Sequence, residues 1–141
     1  MDRGSILRVW LPLFAGVWGL GWLYLYGPGP HDVLREIGLF LGLLGLAGVI
    51  LARYALGRSF SVTAKATALV THGIYSRIRN PIYVSGIVFV TGAFLMLRRP
   101  VLWIGLLAII PMQIIRARRE ARLLEATFGD AYRDYRSRTW F

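Results

Sequence analysis

The sequence predicts an all-α integral-membrane protein: about four transmembrane helices followed by a C-terminal cytoplasmic amphipathic helix. Three observations carry this. Hydrophobic side chains make up 56% of the 141 residues and mean hydropathy is +0.54, too apolar for an ordinary soluble domain. The apolar residues fall into four long runs separated by short polar breaks. The net charge of +10 sits between and after those runs, as in cytoplasmic loops beside anionic headgroups rather than in a nucleic-acid interface. Anionic lipid headgroups are the expected partners of that charge, and nucleic acid is not.

The four runs are Val9 to Tyr26, Val33 to Leu56, Pro81 to Leu97 and Val101 to Ile115. A spanning helix needs about 20 residues, and the first two runs qualify. The first has no small-residue cleavage pattern behind it and reads as a retained helix rather than a signal peptide. The GPGP run at Gly27 to Pro30 then makes a short external turn. Gly38, Gly42, Gly45 and Gly48 of the second run read as small residues that let neighbouring helices approach closely. The third run is at the lower limit and the fourth is short, so a shallow helical hairpin stands beside a full span that extends through Arg116 or thins the bilayer locally. Arg98-Arg99-Pro100 makes the tight turn between them, and Pro111 removes a backbone donor inside the fourth.

With a cytoplasmic N-terminus, Arg3, Arg8, Arg53, Arg58, Lys65, Arg77, Arg79 and the seven arginines from Arg116 to Arg138 share one side. Only Arg35, Arg98 and Arg99 lie opposite. This asymmetry predicts a multi-pass protein with both termini cytoplasmic, in a bacterial or archaeal inner membrane. The chain reads as a single integral-membrane domain, 1–141, with two N-terminal helices in 1–56 and a loop, helical hairpin and tail helix in 57–141. There are no cysteines, and His31 and His72 are too far apart to argue for a metal.

Two polar segments remain. The tail RARREARLLEATFGDAYRDYRSRTWF continues the fourth helix, with Ala117, Ala121, Leu124 and Phe128 at spacings of three and four. By periodicity alone it is an interfacial amphipathic helix, anchored by arginines and by Trp140 and Phe141. Phe128-Gly129-Asp130 marks its stop, and a second short helical turn carries Tyr132 and Tyr135. The loop from Gly57 to Asn80 ends in THGIYSRIRNPIY.

That loop resembles the signature of the integral-membrane methyltransferases that include isoprenylcysteine carboxyl methyltransferases and phospholipid methyltransferases, in which a Gly-Pro-Tyr-Arg turn leads to Arg-His-Pro-x-Tyr. The tail REARLLEATFGDAYRDY is similar to the family's second block, Glu-Glu-x-x-Leu-x-x-x-Phe-Gly-x-x-Tyr-x-x-Tyr. Both blocks occur in order across the C-terminal half of the chain. The resemblance implies a pocket for S-adenosylmethionine built from loop and tail helix. In it Val70, Gly73 and Tyr75 stand with the turn beside the cofactor, Arg79, Pro81 and Tyr83 match the Arg-x-Pro-x-Tyr core, and Glu120 and Leu124 match the second block. Asn80 stands where the family usually has His, and Ala121 where it usually has a second Glu.

Methyl transfer from a sulfonium is an in-line displacement, so alignment of donor and acceptor is the main task and no metal is required. Arg79, Asn80 and Glu120 are the candidate catalytic residues. Glu120 would face the cofactor's cationic end and Arg79 or Arg77 its carboxylate; alternatively, Glu120 pairs with Arg116 at helical spacing on the surface. Asn80 offers a donor and an acceptor but, unlike His, carries no proton near neutral pH. This favours a carboxylate or another pre-ionised acceptor on a lipid-like or prenylated substrate. Two other functions stay open: a nicotinamide-dependent membrane reductase, because sterol reductases resemble this family in their C-terminal architecture, and a non-catalytic membrane module. The identity of the acceptor and the oligomeric state are not encoded in any motif.

Overall fold

Glycines at spacings of three and four along one apolar helix decide how closely its neighbour can approach. In the computed structural model, which describes residues 3–56 and 69–140, that helix is α2, Val33–Leu56, and the neighbour is α3, Pro81–Leu97. Gly38, Gly42 and Gly45 are buried against Gly92, Phe89 and Ser85. A Cβ on Gly38 would meet the Gly92 carbonyl at 2.8 Å, and one on Gly45 would meet the Phe89 backbone, so the two backbones are in near contact. In lipid, where apolar burial gives helices little reason to associate, such contact is a main source of packing energy. The expected role of these glycines is therefore met by the structure.

Helix α1, Arg3–Tyr26, packs on α2 and α3. Leu20, Leu46 and Met96 form the buried core, with Leu23, Leu39 and Phe89 around it. Helix α4, Val101–Phe128, leans on α3, where Trp103 meets Phe94 edge to face at 6.2 Å. It is twenty-eight residues long and unbroken at Pro111, so the fourth apolar run and most of the tail are one helix. Gly129, at φ 53°, turns the chain into α5, Asp130–Arg138. Among the described residues every regular element is helical, and the one extended pairing is an isolated parallel bridge between Ile78 and Trp140.

Two helices, α2 and α4, are long and apolar enough to cross a membrane; α3 and the Leu13–Tyr26 part of α1 are apolar but shorter. Large apolar side chains point outward from all the long helices among α1, α2 and α4, including Phe14, Trp18 and Trp22, Phe40 and Leu44, and Ile104 and Leu107. A surface this apolar suits a hydrocarbon surround rather than water. Helix α1 starts six residues before the apolar run that predicts it, because Arg3 to Arg8 continue its helical backbone. Arg58, Lys65 and Phe141, used in reading charge and anchoring from the sequence, lie outside the described residues.

At one end of the bundle, the GPGP turn and the Arg98–Pro100 turn lie together. Arg35 is 1% exposed. Its guanidinium donates to the carbonyls of Tyr24, Gly27, Pro28 and Gly29 at 2.7–2.9 Å, satisfying acceptors that the end of α1 leaves open. Asp32 accepts from the Leu34 and Arg35 amides at the start of α2 and pairs with Arg98, which ends α3 in the left-handed conformation. The Arg98 guanidinium holds the Asp32 carboxyl below the usual carboxylate range. This polar cluster ties three helix ends to one another.

Candidate functional site

The opposite end is built from the loop before α3, the cytoplasmic-type basic stretch of α4, and α5. Gly73–Ser76 forms a single 3-10 turn. It needs glycine at its first position because Gly73 has φ +61°, a region that side-chain-bearing residues rarely adopt. Close backbone approach is a lesser constraint there, since the nearest atom a Cβ would meet is the Ala55 Cβ at 3.5 Å. After the turn, Asn80 precedes α3 with Pro81 at its first position, where a missing N–H costs nothing. The Asn80 side chain makes no capping hydrogen bond, so its carboxamide is left for something else.

The C-terminal segment holds this loop in place. The Tyr135 hydroxyl, buried, donates to the Tyr75 carbonyl at 2.7 Å. Two backbone bonds then flank the residue before the site: Trp140 N donates to Arg77 O at 3.1 Å, and Arg79 N donates to Trp140 O at 3.2 Å. Thr139, also buried, donates to the Tyr135 carbonyl. On the other side of α5, Glu125 accepts from Arg133 at 3.1 Å and lies 3.9 Å from Arg136, fixing the α4–α5 corner.

Between these elements lies a cavity enclosing about 570 Å³, part of it open to solvent. The end of α2 and the loop contribute Leu56, Leu69, Val70 and Tyr75; Arg79 and Asn80 precede α3; Glu120, Ala121 and Leu124 come from α4, and Tyr132 and Tyr135 from α5. Six of the residues singled out from the sequence, Val70, Tyr75, Arg79, Asn80, Glu120 and Leu124, thus line one space. Gly73, Pro81 and Tyr83 do not line it. Tyr83 instead stands behind the wall, where its hydroxyl donates to Glu120 Oε2 at 3.1 Å. His72 is exposed in the loop.

Glu120 is half-buried and, among the described residues, has no ion pair. The pairing with Arg116 that helical spacing allows is not formed. Among the described residues its hydrogen-bond partner is the Tyr83 hydroxyl. Burial pushes the Tyr75 hydroxyl well up, and the Glu120 charge adds to the shift; burial also pushes Tyr135 up to about 12. The cavity therefore combines a carboxylate and a guanidinium that have no ion pair among the described residues, a carboxamide that makes no capping bond, neutral phenols and an aliphatic wall. Among the described residues no cluster of His, Cys, Asp or Glu could hold a metal.

Sequence reasoning passed over Leu56, Leu69, Ala121, Tyr132 and Tyr135 as lining residues. The tyrosines had a signal, since Phe128-Gly129-x-x-Tyr-x-x-Tyr places both on the inward side of the short helix after the Gly129 turn. Leu56 and Leu69 had none, being apolar residues at the ends of a loop.

A helical membrane protein with a polar cavity at the loop end of its bundle is the class that fold and site define. The phospholipid methyltransferase family model matches residues 34–131, which takes in α2, the loop, the hairpin and the start of α5. The chain belongs to the phospholipid methyltransferase family, a family of membrane methyltransferases. No curated protein matches it.

Proposed function

We propose that the protein is an S-adenosylmethionine-dependent methyltransferase, similar to the isoprenylcysteine carboxyl methyltransferases, acting on a carboxylate or other polar head of a lipid-like or prenylated substrate. The observation that carries this is the convergence of Glu120, Arg79 and Asn80 on one cavity in a chain of a methyltransferase family. The donor set suits the cofactor: a carboxylate without an ion pair for its cationic end, a guanidinium for its carboxylate, and aliphatic and phenolic faces for its adenosine. Bound there, S-adenosylmethionine supplies an electrophilic methyl carbon, the C–S bond breaking with its electron pair to sulfur as the acceptor's lone pair forms the new bond. Glu120, oriented by Tyr83, and Arg79 would bind and align the cofactor; Asn80, which lines the same cavity with a donor and an acceptor, would orient the methyl acceptor. Asn80 moves no proton, and a carboxylate acceptor releases none. The arrangement of helices as a four-span bundle with both termini cytoplasmic belongs to the same reading, since it gives the cavity access to cytosolic cofactor.

Incubation of purified protein with methyl-labelled S-adenosylmethionine and total lipid extract tests this reading, with identification of the labelled product. A labelled methyl ester, or a lipid labelled at another polar head group, is the expected result. Cofactor binding without any labelled product across a broad lipid panel would turn the reading towards a non-catalytic module, and binding of nicotinamide cofactor in its place towards a reductase.

A further inference from the structure

The family match ends at residue 131, yet the backbone of the candidate site is completed by residues beyond it. Between the Gly73–Ser76 turn, whose last bond runs from Ile78 N to Ile74 O, and α3, which opens at Pro81, a short link carries Arg79 and Asn80 into the cavity wall. A link this short has few ways to satisfy its own main-chain groups. Trp140 satisfies two of them. Its N–H donates to Arg77 O at 3.1 Å and its carbonyl accepts from Arg79 N at 3.2 Å, a parallel bridge centred on Ile78. Bonds on both sides of Ile78 fix the direction in which the chain enters Arg79 and Asn80. The Trp140 side chain is not what holds the pairing, since the residue is 73% exposed. Thr139, buried, sets the register, its hydroxyl donating to the Tyr135 carbonyl at 2.9 Å, while the Tyr135 hydroxyl reaches the Tyr75 carbonyl. A firm anchor thus leads to one exposed residue held by two backbone bonds. Such bonds open far more readily than those of a packed helix.

We propose that Thr139 and Trp140 form a strap that sets Arg79 and Asn80 for the ligand of the cavity, with Trp140 a positioning residue acting through its main chain alone, and that docking of the strap is coupled to occupancy of the cavity. With the strap docked, the entry into Arg79 and Asn80 is held from both sides. With it released, Arg77 O and Arg79 N lose these partners, and a ligand has to order the link itself. A ligand held by Arg79 and Asn80 therefore favours the docked strap, and by linkage the strap raises the affinity for that ligand by the same factor. That the ligand is S-adenosylmethionine rests on the methyltransferase reading; the hold of the strap on Arg79 does not.

The test uses the full chain in neutral maltoside micelles and separates main chain from side chain at one position. Trp140→Ala keeps both backbone bonds. Trp140→Pro deletes the N–H that Arg77 accepts from, and Thr139, already extended at φ −124° and ψ 150°, has the backbone that a following proline requires. Hydrogen exchange is read at the Arg79 amide without ligand, and S-adenosylmethionine affinity by calorimetry. In Trp140→Pro the Arg79 amide is expected to exchange about tenfold faster and S-adenosylmethionine to bind about five- to tenfold more weakly, whereas Trp140→Ala stays within about twofold of the unmodified chain in both. In the unmodified chain, saturating S-adenosylmethionine is expected to slow exchange at the Trp140 and Arg79 amides, a response that a merely structural pairing does not give. Equal losses in Trp140→Ala and Trp140→Pro would assign the effect to the indole and overturn the proposal. If Trp140→Pro lowers the thermal unfolding midpoint, the ligand-dependent slowing at Trp140 in the unmodified chain decides, and its absence overturns the coupling. Failure of S-adenosylmethionine to bind the unmodified chain defeats the methyltransferase reading, and exchange without ligand then decides the strap: faster exchange at Arg79 in Trp140→Pro but not in Trp140→Ala upholds it, and equal exchange in all three chains overturns it.

Discussion

The two ends of the helix bundle both concentrate arginine, and they use it in opposite ways. At the turn end, Arg35 gives its two Nη groups to four backbone carbonyls and Arg98 is bound to Asp32. At the loop end, among the described residues, Arg79, Arg118 and Glu120 have no ion pair, Asn80 makes no capping bond, and Glu120 accepts a hydrogen bond from the Tyr83 hydroxyl. Polar groups spent on the chain's own backbone stabilise it. Polar groups held in a cavity and left unspent cost folding energy, and they are kept where a ligand completes them. Density of charge is thus a poor guide to function here, whereas the fate of each hydrogen-bonding group separates a structural end from a binding end.

The sharpest way to break this contrast is to exchange its consequences. Arg35→Met removes a buried donor set shared by four carbonyls and is expected to lower stability by about 3 kcal/mol, the upper range for hydrogen bonds to a charged group. Denaturant unfolding in micelles measures it, and the folded fraction should bind S-adenosylmethionine as before. Glu120→Gln is expected to do the reverse. It weakens cofactor binding by about 1.5–3 kcal/mol, roughly ten- to a hundredfold, and leaves the unfolding midpoint close to that of the unmodified chain. If both variants lost binding equally, the division of labour between the two ends would fail.

A smaller effect sharpens the description of the loop end. Tyr83→Phe removes the hydrogen bond that orients Glu120 without removing a cavity-lining group. A loss of about 0.5–1.5 kcal/mol in cofactor binding is expected, roughly two- to tenfold, read by the same titration. In the double variant with Glu120→Gln the two losses should not add, because the phenol then has no carboxylate to orient.

The smallest effect is an expected constancy. Tyr75 and Tyr135 have hydroxyl pKa values raised by burial, that of Tyr135 to about 12. Raised values mean that the folded state keeps protons that the unfolded chain releases. The stability they contribute is fully present below their ordinary value near 10 and is lost as pH climbs through about 12. Thermal midpoints should therefore show no tyrosine-linked change between pH 7 and 9 and should fall above 10, less steeply in Tyr135→Phe. A fall already under way at pH 8 would mean that these phenols are not buried against the loop.

Local signals made much of this legible in advance. Pro81 suits the first position of a helix, GPGP suits the end of one, and both limits of α2 and α3 coincide with the apolar runs that predict them. The two sequence blocks that meet in the cavity were also visible, because each keeps its candidate residues within a short continuous stretch of the chain. Arg35 was not legible. By position it is one of three arginines on the sparsely basic side, and its four carbonyl partners lie at the end of α1 and in the turn after it, whose shape depends on how α1 and α2 pack. The bond from Tyr83 to Glu120 was not legible either, because it depends on how α3 and α4 pack and not on the motif that singles Tyr83 out. The third and fourth runs looked short because apolar residues stop at Leu97 and Ile115. Helix α4 instead runs on to Phe128 through arginines that the apolar count leaves out.

The pairing of Trp140 with Arg77 and Arg79, and of Tyr135 with Tyr75 across sixty residues, has a consequence for biosynthesis. Helices α1 to α3 can enter the membrane and pack on one another while the ribosome is still making α4. The loop that carries Arg79 and Asn80 gains its hydrogen-bond partners only when the last helix has emerged and folded back. A product terminated before Tyr132 would thus keep the packing of α1 to α3 and lack the bonds from Tyr135 and Trp140 that hold this loop.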